Sequence, residues 1–257
     1  MQLLLVEFKR IWILYKRYPM NYFAGLLFMF FMFLGIIAGS EYISGVSQVT
    51  YNNRLDGVLL GYWQWNLAIF AFAYTTSSLQ SEAAMGTLEQ IFLSPLGALR
   101  IVMTRAVASL GLTIGTSTLF LLLLLHVLER QLSYPPLLIW PLMTALLSAY
   151  GVGLMLGALA LIYKQISRVM VIVQIGIVPL VVVAFEEMDN ISPWLYNALP
   201  IAPSSVALRT LMTRAAQPTT IELLAATANG AVFMAIGIYV FHWAARKAKR
   251  DALLGQH

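Results

Sequence analysis

The sequence predicts an all-α integral membrane protein with about six transmembrane helices, and three observations carry that reading. First, the chain is 60% hydrophobic and 11% charged, with a mean hydropathy of +0.79, whereas a soluble protein is nearer a quarter charged. Second, its 257 residues suit about six crossings of ~20 residues each and leave no room for a separate soluble domain. Third, once those crossings are drawn, the basic residues fall mostly on one side. Residues 1–257 therefore read as a single transmembrane domain. Around its spans it carries an amphipathic interfacial helix at 1–20, a short amphipathic helix at 82–98 between spans two and three, and an outer re-entrant segment at 186–221 before span six.

Residues 2–18 place Leu4, Phe8, Ile11, Trp12 and Tyr15 on one helical face and Lys9, Arg10, Lys16 and Arg17 on the other, with Val6 and Ile13 spoiling the polar side. A signal peptide would set its charges before a short apolar core and end at a small-residue cleavage site. Here charges run through the stretch and a full span follows, so a helix lying in the interface fits better. The first span, Tyr22–Gly39, is dense in Phe and Met. The second, Leu55–Leu79, is less oily, with Trp63, Gln64, Trp65, Asn66, Tyr74, Thr75 and Thr76. The third covers Val102–Leu128. The fourth, Leu137–Tyr163, holds a GxxxG pair at Gly153 and Gly157, which permits close helix approach. The fifth, Val169–Phe185, is β-branched but must be helical, because an open strand cannot satisfy its backbone in lipid. The sixth covers Leu223–Ala245. Between the last two, Pro193, Pro200, Pro203 and Pro218 punctuate a segment too long for a turn. Short broken helices dipping back toward the membrane fit it.

Orientation follows from the charges. With the N-terminus inside, twelve of the sixteen Lys and Arg residues face inward, and Arg54, Arg130, Arg209 and Arg214 face outward. That asymmetry puts both termini and residues 81–101 in the cytoplasm. It also accounts for a pI near 9.5 through orientation and contact with the lipid bilayer rather than nucleic acid.

The stretch Glu82–Leu96 is too polar to cross a bilayer. Wound as a helix, it sets Met85, Leu88 and Phe92 on one face with Ala84 and Ile91 beside them. Glu82 and Glu89 fall along one border, and Pro95 ends the helix for want of an amide donor. This run, Glu82 followed by Gly86-Thr87-Leu88-Glu89-Gln90-Ile91-Phe92-Leu93-Ser94-Pro95-Leu96 after the second span, resembles the coupling helix of type-2 ATP-binding-cassette (ABC) permeases. Leu199-Pro200-Ile201-Ala202-Pro203, followed by Ala207-Leu208-Arg209, is similar to the Asn-Pro-x-x-Pro-like region of the same family, with Leu-Pro where Asn-Pro is frequent.

The resemblance implies the permease half of an ABC exporter in a bacterial cytoplasmic membrane. Two copies, as a homodimer, would pair with two separate ATPase subunits that hold ATP and Mg, leaving this chain without a cofactor or catalytic residues. Met85, Leu88 and Phe92 would anchor the coupling helix in an ATPase cleft. Glu82 and Glu89 would meet its rim, Gly86 would approach it closely, and Thr87 and Pro95 complete the motif. The cargo would be amphipathic or lipid-like, such as a drug, a natural product or a lipid-linked glycan.

Trp63, Asn66, Phe70 and Ser77 follow helical spacing along the second span and could line a substrate path or serve helix packing. Gln174 in the fifth span poses the same choice. Glu186, Glu187 and Asp189 at the outer end of that span are solvated charges, a cation site or part of an exit gate. With no cysteine and isolated His126, His242 and His257, no metal site is expected. Phosphate-binding glycine loops and nucleophile motifs are absent from the sequence. Two other functions compete with the transporter reading. A membrane scaffold or assembly factor could use the same helix on another partner. An ion-driven secondary transporter would want central carboxylates, which the assigned spans lack.

Overall fold

Backbone amides in so apolar a chain have little water to bond, so they bond one another within helices. The computed structural model describes residues 2–44, 48–85, 88–94, 97–163, 166–182, 192–214 and 216–250, and among these the regular structure is all helical. In order the helices are α1 (Gln2–Arg17), α2 (Pro19–Ser44), α3 (Gln48–Ala84), α4 (Leu88–Leu93), α5 (Ala98–Val127), α6 (Ile139–Tyr163), α7 (Ser167–Val182), α8 (Pro193–Ala198), α9 (Ala202–Met212) and α10 (Thr220–Arg250), with a 3-10 turn at Pro136–Leu138 leading into α6. Each expected span coincides with one of α2, α3, α5, α6, α7 and α10, although residues 183–185 of the fifth lie outside the described residues. Three helical stretches, Ala98–Val127, Pro136–Tyr163 and Thr220–Arg250, are long and apolar enough to cross a membrane.

Glycine decides where the helices meet. α6 is the central element, with 72% of its apolar window buried against 35% for α5 and 22% for α10. A Cβ on Gly151 would strike the carbonyl of Phe233, and one on Gly237 would strike that of Gly151. α6 and α10 therefore cross backbone to backbone. On its other side α6 takes α3: a Cβ at Gly153 would lie 2.7 Å from the Cα of Phe72, and one at Gly157 would lie 2.9 Å from Leu79. The GxxxG pair thus seats a neighbouring helix of the same chain. Hydrogen bonds to backbone carbonyls fasten the rest. Tyr62 donates to Met29 O at 2.6 Å, Trp65 Nε1 to Gln174 O at 3.1 Å and Tyr150 to Ala106 O at 3.0 Å, joining α3 to α2, α3 to α7 and α6 to α5.

The segment before α10 folds inward. Every residue of α9 but Thr210 is buried. Its leading residue, Ile201, has φ 68°, a left-handed conformation that a β-branched residue adopts at a cost of about 1–3 kcal/mol. Side chains from two helices hold it there. Ser148 on α6 accepts from Ile201 N–H at 3.1 Å and donates to Asn229 Oδ1 at 3.2 Å. Asn229 on α10 donates through Nδ2 to Asn197 O and Leu199 O, both at 2.9 Å. Arg209 then donates to Val181 O and Val182 O, the last carbonyls of α7, where a cation also offsets the helix dipole.

The structure adds detail at two segments. The inward face of α1 is Glu7 and Ile11, with the Phe8 ring against Gly111, while Trp12 is exposed. The helix expected over 82–98 is instead divided: α3 stops at Ala84, α4 runs only from Leu88 to Leu93, and α5 begins at Ala98. Glycine at 86 is a poor helix former, and a proline at 95 cannot continue one.

Candidate functional site

One end of the bundle gathers α1, the end of α3, α4, the start of α5 and the end of α10, and two buried carboxylates and a part-buried arginine organise it. Arg105 on α5 donates from Nε to Glu7 Oε1 at 3.2 Å and from Nη1 to Glu82 Oε1 at 2.6 Å. Arg10 reaches the other oxygen of Glu7 at 3.5 Å. Glu7 and Glu82 are each 8% exposed, a degree of burial that carboxylates tolerate only when paired. The planar guanidinium can serve two carboxylates at once. In this way α1, α3 and α5 are locked together two residues before α3 ends.

Beyond that lock, α4 packs onto the bundle through Leu88, Ile91 and Phe92, spaced i, i+3, i+4. They join Leu79, Ala98, Val102, Leu154, Leu161 and Phe241 in a second apolar cluster. Lys249 on α10 closes the other end of α4, donating to Phe92 O at 3.2 Å with its ammonium 5.6 Å from the centre of the Phe92 ring. A cation bonded to the terminal carbonyls of so short a helix stabilises it by capping. The outward side of α4 carries Gln90 and Leu93, the latter 75% exposed, and Met85, in the turn that ends α3, is 63% exposed.

The structure therefore redistributes the residues expected to contact a partner. Leu88 and Phe92 are interior, because the break between α3 and α4 separates their helical register from that of Met85. Glu82 is an internal ion-pair partner rather than a rim charge. Met85 keeps an outward position, and Leu93 joins it. Gly86, Thr87 and Pro95 lie outside the described residues, as does the side chain of Glu89.

The expected path residues divide likewise. Trp63 and Asn66 are 5% and 7% exposed, inside the chain's own core, so they do not line an open path. Asn66 Nδ2 turns back to Tyr62 O at 2.9 Å. Trp63 Nε1 and Gln64 Nε2 are sealed in without a hydrogen-bond partner among the described residues. Phe70 and Ser77 are exposed, and Ser77 bonds only Tyr74 O of its own helix at 3.4 Å. Gln174 is half-buried, and its backbone carbonyl receives Trp65. Glu186, Glu187 and Asp189 lie outside the described residues. Among the described residues no group of three or more His, Asp or Glu side chains could hold a metal ion. Compared with models of known families and with curated proteins, the chain matches none.

Proposed function

We propose that this chain is the permease half of an ATP-driven exporter of the type-2 ABC kind, acting as a homodimer with two separate ATPase subunits. The supporting observation is the mounting of α4. A six-residue helix is too short to hold its own shape in water, yet this one is fixed by a buried apolar cluster and a lysine cap beside an ion-pair lock. It presents Leu93 outward, and Met85, in the turn that ends α3, is exposed as well; apolar side chains of this kind can dominate interface energies. A partner that pushes on such a helix moves α3, α5 and α10, on which Leu88, Ile91 and Phe92 pack, and α1 follows through its Arg105 contact with α5.

In this reading the helices make six crossings with both termini in the cytoplasm. ATP and Mg are bound by the ATPases, and an amphipathic or lipid-like cargo passes between the two copies. Exposed Phe70 and Ser77 are this chain's contribution to that path, in place of Trp63 and Asn66. The test is co-expression with a stand-alone ABC ATPase from the same source, followed by affinity capture and transport per ATP hydrolysed. Capture of the ATPase by the wild type, reduced about tenfold or more in Met85→Ala/Leu93→Ala, is the expected result. Capture that ignores both substitutions, or no capture, would sink this reading in favour of a scaffold or an ion-driven transporter.

A further inference from the structure

Two hollows open side by side along α10, and His242 and Arg246 line both. The first, about 400 Å³, lies between α4, the start of α5 and α10. Its floor is apolar, with Phe92, Leu99 and Phe241, and its cations are Arg100, Arg246 and Lys249. The second, about 590 Å³, continues along α10 over Ala235, Ile238 and Tyr239. Neither lining includes a carboxylate. Arg100 and Arg246 have no ion-pair partner among the described residues.

Six of the α10 residues in these hollows form one stripe. Ala235, Ile238, Tyr239, His242, Arg246 and Lys249 recur at helical spacing, so the stripe runs from wholly apolar to strongly basic. From Ala235 to Arg246 the helix rises about 16 Å, half of a ~30 Å hydrocarbon core and hence the depth of one leaflet. Trp243, 48% exposed, stands beside the basic end with Lys247 5.4 Å from its ring centre, as befits a residue at a membrane interface.

We infer that this stripe, completed by Arg100 from α5, binds an anionic phospholipid. Arg100 and Arg246 grip the phosphate through charge-assisted hydrogen bonds, and one acyl chain lies over Tyr239, Ile238 and Ala235. Charge complementarity selects the headgroup, because several cations share a groove in which the described residues offer them no carboxylate. The apolar continuation selects a lipid over a soluble phosphate, since a free anion would make no use of it. The inference requires only that α10 crosses a membrane and is independent of the transporter reading. A lipid seated there also packs on Phe92 and steadies α4.

The test uses the full chain in detergent, titrated with phosphatidylglycerol, phosphatidylcholine or glycerol 3-phosphate, with retained ligand counted by native mass spectrometry. Phosphatidylglycerol should be retained by the wild type and lost by roughly tenfold or more in Arg100→Gln/Arg246→Gln, about 1.4 kcal/mol. Lys9→Gln/Arg17→Gln removes the same charge from exposed positions on α1 and should bind as wild type. Equal retention of phosphatidylcholine, or equal loss in the α1 control, would reduce the site to non-specific lipid contact and overturn the proposal. Equal retention of glycerol 3-phosphate would make it a soluble-anion site and overturn it as well. Should the double variant fail to fold, Arg246→Gln alone and Tyr239→Ser test the two ends of the stripe. Wild-type retention in both would be decisive against it.

Discussion

Arg105 is the residue whose loss should reach furthest. It is the shared cation of Glu7 and Glu82, at 15% side-chain exposure against 11% for each carboxylate. Removing it strips Glu7 and Glu82 of their shared cation, with Glu7 keeping its 3.5 Å contact to Arg10, and breaking a buried pair in this way costs at most about 3–5 kcal/mol. Arg105→Gln should therefore lower the unfolding temperature of the detergent-solubilised protein by several degrees. Arg105→Lys keeps the charge but offers a point donor in place of a planar fork, and should fall between. Adding Glu82→Gln to Arg105→Gln should restore part of the loss, because it removes the desolvation cost of a buried carboxylate that has lost its Arg105 partner. A melt for Arg105→Gln that superimposes on the wild type would dismiss the lock. This network was hard to see in the sequence. Arg105 could be counted there as an inner charge, but nothing local marks which charges meet across 98 and 23 positions of chain.

At the scale of elements, α4 shows how one break inverts a face. A continuous helix from Glu82 to Phe92 would carry Met85, Leu88 and Phe92 together, which is why they read as a single outward anchor. With α3 ending at Ala84 and α4 starting at Leu88, the apolar face of α4 turns to the bundle. Leu88→Ala should then cost about 2–5 kcal/mol by opening a cavity at a fully packed position. Leu93→Ala, on the exposed side, should stay within about 0.5 kcal/mol. Thermal melts without any partner present separate the two, and equal destabilisation would mean that α4 is not seated as described. The α8–α9 turn carries a related lesson. The prolines announced that the chain breaks there, but the side chains that hold the break, Ser148 and Asn229, sit in distant helices and looked like ordinary small polar residues. Asn229→Leu leaves Asn197 O and Leu199 O, both part-buried, without their shared donor, at a cost of at most about 1–3 kcal/mol each. Faster amide exchange over residues 197–202 is the expected readout. Unchanged exchange would assign the turn's order to packing alone.

For the molecule as a whole, the long apolar helices were legible because composition and length alone determine them, and each expected span has its helix. Their mutual packing was legible only where glycine declared it, as at Gly153. Gly230 and Gly237 on α10 do the same work without a GxxxG spacing to announce them. The structure adds a scale bar for topology. α10 touches the α8–α9 turn through Asn229 and α4 through Lys249, and the twenty residues between these contacts span about 30 Å of helix. That length equals the hydrocarbon core of a bilayer, so an α10 that crosses a membrane would set α4 and α8 at its opposite faces. The basic residues Arg100, Arg246, Lys247 and Lys249 sit at the α4 end, which the positive-inside rule assigns to the cytoplasm. The chain has no cysteine, so single cysteines report without background. Trp194 is 86% exposed on α8 and Gln90 is exposed on α4. In intact cells a membrane-impermeant maleimide should label Trp194→Cys and leave Gln90→Cys untouched until the membrane is opened. Labelling of both from outside would place α4 and α8 on one face, which α10 could not then bridge as a transmembrane helix. Labelling of Gln90→Cys alone would reverse the orientation and remove α4 from the reach of any cytoplasmic ATPase.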